Sequence, residues 1–275
     1  MNSTIFLMLG LLGIVGLGSL VAENDDDVSP EADYDDPYGG RELTEGTEHD
    51  DTITGTAADE AIQSYEGDDV VDAGAGDDLV WTGYGDDTVT ADAGDDEIYL
   101  GYGDDLYGAY DLAADEGNDT IDGGYGDDTI TVNSGNHSIT GGYGDDQIED
   151  YGGTVHVNGE RGDDLILSAD DSDEDAADTL LGGSGDDTIY AGGNDIVDGG
   201  DGDDDIILSS SSDGVTQITW DSDDTITVTL SDDYVGDGEL TFVQDGDNVQ
   251  VLLDGTVIAL LLDVDVDDVD NVSVG

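Results

Sequence analysis

Between residues 71 and 206 single apolar residues recur at a regular beat: Val71, Val80, Val89, Ile98, Ile121, Ile130, Ile139, Ile148, Val157, Ile166, Ile189, Val197 and Ile206. Small or polar residues flank each one. The pattern predicts three-residue strands, each turning one side chain inward. A polar marker runs ahead of the strands. Gly-Asp-Asp occupies 67–69, 76–78, 85–87, 94–96 and 103–105, nine residues apart each time. Weaker copies precede it at His49-Asp50-Asp51-Thr52-Ile53 and Ala58-Asp59-Glu60-Ala61-Ile62. After a five-residue slip the phase resumes at Gly117-Asn118-Asp119, Gly126-Asp127-Asp128, Gly135-Asn136-His137, Gly144-Asp145-Asp146, Gly153-Thr154-Val155 and Gly162-Asp163-Asp164. An acidic insertion from Ser168 to Asp178 follows, then Gly185-Asp186-Asp187, Gly193-Asn194-Asp195 and Gly202-Asp203-Asp204. Glycine before each strand permits positive φ and a tight turn. One such strand cannot bury its apolar residue alone, but stacked turns can. Two turns and two strands make a coil of 18 residues, so equivalent positions should stack about 4.8 Å apart.

The two ends read differently. Residues 208–275 lose the nonapeptide and alternate instead: Ile218 and Trp220; Ile226, Val228 and Leu230; Val249, Val251 and Leu253. With turn signals at Asp245-Gly246-Asp247 and Asp254-Gly255, this predicts antiparallel strands capping the open end of the stack. At the other end, residues 1–22 hold an uncharged apolar run from Ile5 to Ala22, read as a membrane-targeting or anchoring segment. The alternative is a local hydrophobic helix, because no Lys or Arg precedes the run as in a standard signal peptide. The acidic stretch from Glu23 to Asp27 then belongs on the non-cytoplasmic side. Residues 23–46 hold both prolines and read as a flexible acidic linker. That divides the chain into 1–22, 23–46, a repeat array at 47–207, and 208–275.

Charge sharpens the picture. The 275 residues carry 2 Lys or Arg against 73 Asp or Glu, a formal net charge of −71. Ordinary nucleic-acid binding needs clustered cations and is excluded, as is docking on anionic lipid through a basic patch. There is no Cys, hence no disulfide, thiolate metal site or Cys nucleophile. So dense an acidity must be neutralised before the chain compacts, by bound divalent cations or by high salt.

Gly123-Gly124-Tyr125-Gly126-Asp127-Asp128-Thr129-Ile130-Thr131 matches the nonapeptide G-G-x-G-x-D-x-U-x, and residues 141–149, 182–190 and 199–207 match it equally. The chain thereby resembles the RTX, or haemolysin-type, calcium-binding proteins over roughly residues 49–207. The resemblance implies an all-β protein: a calcium-bound parallel β-roll, or solenoid, with a short antiparallel β cap at its C-terminus. It also implies several Ca²⁺ ions, each held between loops stacked on one side. Ca²⁺ takes six to eight oxygens at about 2.3–2.6 Å. The carboxylates so assigned are Asp69, Asp78, Asp87, Asp96, Asp105, Asp128, Asp146, Asp164, Asp187 and Asp204. Asp51, Glu60, Asp119 and Asp195 form a secondary set. Loop carbonyls near Gly76, Gly85, Gly103, Gly124, Gly126, Gly142, Gly144, Gly183, Gly185, Gly200 and Gly202 complete the shells. The implied pairs are Asp51/Asp69, Asp69/Asp87 and Asp87/Asp105 on one face, with Glu60/Asp78 and Asp78/Asp96 on the other. In the second block Asp128, Asp146 and Asp164 keep one face intact, while the other runs Asp119, His137, Val155. Val cannot ligate and His is a poor calcium ligand, so ions are expected on one edge only of residues 117–170. Asp187 and Asp204 stand 17 rather than 18 apart, which sets that pair apart from the rest.

Tyr84 and Tyr102, and likewise Tyr125 and Tyr143, are 18 apart and should stack along one edge, either stiffening the loops or offering a glycan contact. Thr-x-Thr at 52/54, 88/90 and 129/131 reflects β-propensity rather than an ice-binding ladder. His49, His137 and His156 make no HExxH, and Gly183-Ser184-Gly185 lies inside a repeat, so neither a zinc protease nor a serine-hydrolase elbow is present. The chain is therefore expected to be non-enzymatic: a secreted or surface calcium-binding protein of bacterial type. Its array would fold on Ca²⁺ outside the cell, in an adhesive or matrix role, with an extracellular glycan or cell-surface partner. Membrane attachment would run through residues 5–22. Gln244 to Leu261 and the Asp/Val-rich tail resemble the C-terminal region of type I secretion substrates in that family. The alternative is a carbohydrate-modifying enzyme on a β-solenoid.

Overall fold

A computed structural model of the chain describes residues 38–108, 116–168, 177–210, 214–232 and 234–275. The apolar run at 5–22 lies outside them, as does most of the expected linker. Among the described residues no helix is long and apolar enough to cross a membrane.

The chain winds as a solenoid between two parallel sheets. The first sheet stacks Glu42–Glu45, Glu60–Glu66, Leu79–Tyr84, Glu97–Tyr102, Thr120–Tyr125, Ser134–Tyr143, Thr154–Arg161, Thr179–Ser184, Ile196–Asp201 and Thr216–Thr219 in that order. The second stacks Thr52–Thr56, Val70–Gly74, Thr88–Thr90, Leu106–Tyr107, Thr129–Val132, Gln147–Asp150, Leu165–Ser168, Thr188–Ala191, Asp205–Ser209, Thr225–Thr229 and Val272–Val274. The register is the one the periodicity predicts: Val80 pairs with Ile98 and Ile130 with Ile148, 18 residues on. The slip after residue 105 leaves the stack intact, because Ile98 pairs with Ile121 across a 23-residue coil. The acidic insertion behaves the same way, with Val157 opposite Leu180. A 17-residue coil then sets Leu180 opposite Val197.

All thirteen periodic apolar residues are buried between the sheets. Burying an Ile or Val is worth roughly 1.5–3 kcal/mol, so the file of inward side chains is the core. Ile53, Ile62, Tyr107, Leu180 and Ile226, each two residues after an acid, belong to the same file, as does Ile218, two residues after Thr216.

Two expectations change. Residues 216–219 and 225–229 were assigned to an antiparallel cap, but both run parallel to the coils before them. Ser222-Asp223-Asp224-Thr225-Ile226 keeps the acid-acid-x-apolar order, with Ser where the repeat has Gly. The coil therefore continues past residue 207. The antiparallel part is Leu240–Asp245, Asn248–Leu253 and Thr256–Leu262, and the last of these rejoins the first sheet in parallel beside Thr216–Thr219. The expected linker is also shorter, since Glu42–Glu45 pairs with Glu60–Glu66 as the first strand of the roll.

Candidate metal centre

The two sheets are joined along two edges. On one, here the regular edge, an aspartate of each loop reaches the loop above. The Oδ1 of Asp69 accepts from Asp51 N–H at 2.7 Å, and that of Asp87 from Asp69 N–H at 2.7 Å. The ladder continues without a gap through Asp105, Asp128, Asp146, Asp164, Asp187 and Asp204, at 2.7–2.9 Å. It spans both 23-residue coils and the 17-residue coil, and ends on Asp224 at 3.4 Å. The Asp187/Asp204 pair is thus in register despite its shorter spacing.

Each of these aspartates has spent one oxygen. The other, Oδ2 of Asp69, Asp87, Asp105, Asp128, Asp146, Asp164, Asp187 and Asp204, is buried and meets no hydrogen-bond donor. Asp78 on the opposite edge shares this state. A buried carboxylate oxygen without a partner is costly and marks an arrangement that asks for a cation. Burial, followed by repulsion from neighbouring carboxylates, pushes the carboxyl groups up. Asp105 and Asp146 rise to about 8, and Asp128 and Asp187 to about 7. Asp78, Asp87 and Asp164 rise to about 6, and Asp204 moves in the same direction.

The loop glycines shape the space beside these oxygens. A side chain at Gly141, Gly159, Gly182 or Gly199 would collide with Oδ2 of Asp146, Asp164, Asp187 or Asp204 respectively. At Gly123 it would meet both Asp128 Oδ2 and the carbonyl oxygen of Gly141 in the next coil. A carboxylate oxygen and a backbone oxygen therefore face one small space. Gly126, at φ 129°, packs so closely on the Gly103 carbonyl that no side chain fits. Among the described residues no three His, Asp or Glu side chains converge on one point. A cation held here would draw on backbone oxygens as well as paired carboxylates, an all-oxygen set that suits Ca²⁺.

The opposite, variable edge is built differently. Glu60 N–H donates to Asp78 Oδ1, Asp78 N–H to Asp96 Oδ1 and Asp96 N–H to Asp119 Oδ1, at 2.7–3.0 Å. There the row stops. Asp119 N–H donates to His137 Nδ1 at 3.2 Å, and the same nitrogen lies 3.2 Å from Asp119 Oδ2. The Tyr107 hydroxyl approaches that oxygen at 3.4 Å. Val155 has no carboxylate, but its N–H donates to Asp178 Oδ1 at 2.8 Å. Asp178 Oδ2 accepts from the Ser168 hydroxyl at 2.6 Å, and Asp195 Oδ2 from Gly192 N–H at 2.7 Å. At the N-terminal end of the roll Asp51, heading the regular edge, is closed by Thr47, and Glu60, heading the variable edge, by Thr56. The secondary set Asp51, Glu60, Asp119 and Asp195 thus has protein donors on the carboxylates themselves.

Asp178 and Asp224 were missed in the sequence. Asp178 sat inside what looked like an insertion, and Asp224 lay beyond the last glycine-marked repeat. The signal that could have found both is an acid two residues before an apolar one: Asp178-Thr179-Leu180 and Asp224-Thr225-Ile226.

The chain matches the family model for the RTX calcium-binding nonapeptide repeat at residues 45–80, 81–108, 111–136, 140–175 and 174–206. No curated protein matches it. Among solved structures it is similar to the extracellular lipase LipA from Serratia marcescens, at 14% identity and a TM-score of 0.26. That similarity covers 84% of this chain and 39% of the lipase, so the chain spans well under half the lipase's length.

Proposed function

The chain belongs to the RTX calcium-binding nonapeptide-repeat family, and from that premise we propose that it is a non-catalytic, secreted bacterial protein whose roll folds on Ca²⁺ outside the cell. The observation that carries this reading is the row of eight buried, unpartnered Oδ2 atoms along the regular edge. Neighbouring coils bring these carboxylates about 4.8 Å apart. Like charges at that spacing repel by about 3 kcal/mol per pair at a protein edge. Eight in line oppose folding strongly. Bound Ca²⁺ would supply the counter-charge and accept the Oδ2 and carbonyl oxygens together. Its binding free energy then becomes folding free energy. In calcium-poor cytosol the chain would stay extended and exportable, and Gln244 to Leu261 with the acidic tail would serve as a type I secretion region. Residues 5–22 would anchor the product or be removed. An adhesive or matrix role suits an acidic surface with exposed tyrosines.

The test is far-UV circular dichroism of the full chain in EDTA, titrated in parallel with CaCl₂, MgCl₂ and NaCl. A cooperative gain of β signal with calcium, and little with magnesium, is expected. A β signal already complete in EDTA would overturn the folding account. Equal responses to all three salts would reduce it to charge screening.

A further inference from the structure

A second array runs along the regular edge, outside the carboxylates. Tyr84, Tyr102, Tyr125 and Tyr143 are the last residues of neighbouring first-sheet strands, paired in register, each three residues before an inner aspartate. They form one continuous stack, with ring centroids 4.7, 4.6 and 4.6 Å apart and planes within 13° of parallel. The 23-residue coil does not interrupt it, because the extra residues leave on the other edge and Tyr102 still meets Tyr125. The stack ends under Arg161, whose guanidinium lies 5.1 Å from the Tyr143 ring centre. About half of each tyrosine is open to solvent.

Other tyrosines are placed differently. Tyr65, Tyr99, Tyr151 and Tyr234 each donate the hydroxyl to a carboxylate, of Glu45, Glu97, Glu149 and Asp254. Among the described residues none of those four stacks on another tyrosine. Among the described residues only the ladder sets phenol against phenol.

We propose that this ladder is an oxidative modification site, at which neighbouring tyrosines couple into dityrosine and tie successive coils together. The oxidant would be hydrogen peroxide acting through a haem peroxidase. Each of two phenols gives up one electron and one proton, leaving a phenoxyl radical with spin on the oxygen and on the ring carbons ortho to the oxygen-bearing carbon. Two such carbons form a C–C bond, and each then passes its hydrogen to its own oxygen to restore the ring. One peroxide accepts two electrons and two protons and leaves as two waters. Exposure gives the oxidant access, and rotation about the side-chain bonds of these half-exposed strand-end residues brings ring carbons into bonding distance. Pre-positioning makes the coupling intramolecular, and held reactants outcompete partners that must diffuse together. A lone exposed tyrosine that is oxidised has no such partner. The bond would fix the spacing of two coils whatever ions occupy the edge.

The full chain, with calcium present, is treated with peroxidase and hydrogen peroxide. Calcium ensures a folded roll whether or not it drives folding, so the result is independent of the folding account. Dityrosine fluorescence should appear in the monomer, with a mass loss of two hydrogens per bond. Tandem mass spectrometry of an Asp-directed digest should place the bond between neighbouring ladder residues; trypsin is of little use with only Arg41 and Arg161 to cut at. The double substitution Tyr102→Phe/Tyr125→Phe keeps the rings and the stack but separates the two remaining phenols by the length of the ladder. It should lose most of the signal, while Tyr65→Phe/Tyr151→Phe should lose none. Equal yield in the ladder variant, or dityrosine confined to covalent dimers, would overturn the proposal.

Discussion

The two edges of the roll share one core and one pair of sheets, yet they keep different rules. On the regular edge the eight crossovers from Ile62 to Val71 through Val197 to Ile206 are all nine residues long, and the next, Ile218 to Ile226 at the end of the ladder, is eight. On the variable edge the step is nine at some coils, fourteen from Tyr107 to Ile121 and from Ile166 to Leu180, eight from Ile189 to Val197, and twelve from Ile206 to Ile218. Core packing cannot explain the difference, because both edges connect the same inward side chains. Loop closure cannot either, since doubling a loop costs only about 0.6 kcal/mol. What differs is the chemistry. Among the described residues eight unpartnered buried carboxylate oxygens follow one another along the regular edge, whereas on the other edge the carboxylate row ends at Asp119, which meets His137. Where the inner Oδ2 has no donor the length is constant, and it changes at Asp224, whose Oδ2 accepts from Asp221 N–H. The edge closed by His137, Ser168 and Gly192 varies in length.

The largest expected effect separates the edges directly. Asn at 128, 146 and 164 keeps Oδ1 as acceptor, so the ladder hydrogen bonds survive while the charge and the anionic ligand go. Asp128→Asn/Asp146→Asn/Asp164→Asn should abolish cooperative calcium-driven folding in the dichroism titration. Asp119→Asn/Asp178→Asn/Asp195→Asn should instead lower the melting temperature of the calcium-loaded protein. Each lost charged hydrogen bond there costs about 1.5–3 kcal/mol, with the calcium midpoint little changed. If both variants moved the midpoint equally, the division of labour between the edges would be wrong.

Acidity offers a second way to split them. On the regular edge Asp87, Asp105, Asp128, Asp146, Asp164 and Asp187 are held up to about 6–8 by burial, with neighbouring carboxylates adding to it. In an unfolded chain Asp titrates near 3.9. The folded form without calcium therefore binds more protons than the unfolded one. Its stabilisation is fully present below about pH 4 and is lost as pH rises through about 6 to 8. Calcium-free protein should gain β signal on acidification from pH 8 towards 5, the reverse of ordinary acid unfolding. Calcium affinity should fall on the same acidification and rise as pH is raised from 5 to 8, because ligation displaces the protons. In the Asp128/Asp146/Asp164 triple Asn variant most of the acid-induced gain should vanish. A calcium-free chain that stays equally unstructured from pH 8 to 5 would contradict the shared-proton picture.

Much of this was legible in the sequence, for a definite reason. In a solenoid each short strand meets its own copy, so periodicity alone fixes register, and the thirteen periodic Ile and Val are all in the core. Glycine was a less faithful marker than acid and apolar residue together. Relying on Gly-Asp-Asp hid Leu180 and Ile226 from the file and Asp178 and Asp224 from the rows. Alternation at Ile218 and Ile226 is the same for parallel and antiparallel strands, so pairing direction there was invisible. Pairwise stacking of Tyr84 with Tyr102, and of Tyr125 with Tyr143, followed from spacing. Their fusion into one ladder did not, because it depends on which edge absorbs the five extra residues. The donors that close the variable edge, Ser168 and the Gly192 amide, carry no sequence signature.

The smallest effect is the most discriminating, because it adds a function rather than removing one. His137 stands where the variable edge would continue its row after Asp96 and Asp119. The substitution His137→Asp removes the imidazole from Asp119 Oδ2 and offers a carboxylate at the equivalent position. Oδ1 of the new residue should accept from Asp119 N–H as His137 Nδ1 does now. Asp119 and its new neighbour would then face each other as Asp128 and Asp146 do on the regular edge. Without calcium the variant should be less stable than the parent, because one more like-charged contact is added to the edge. With calcium it should bind one ion more than the parent, read by equilibrium dialysis against radioactive calcium at saturation. A gain is expected only if carboxylate pairing in register is what makes a site, with the local loop secondary. Residue 132, five before 137, is Val rather than Gly, so the substitution also measures how far the first glycine of the nonapeptide is needed. An unchanged stoichiometry with a folded variant would show that the regular edge owes its ions to its glycine-lined loops as much as to its aspartates.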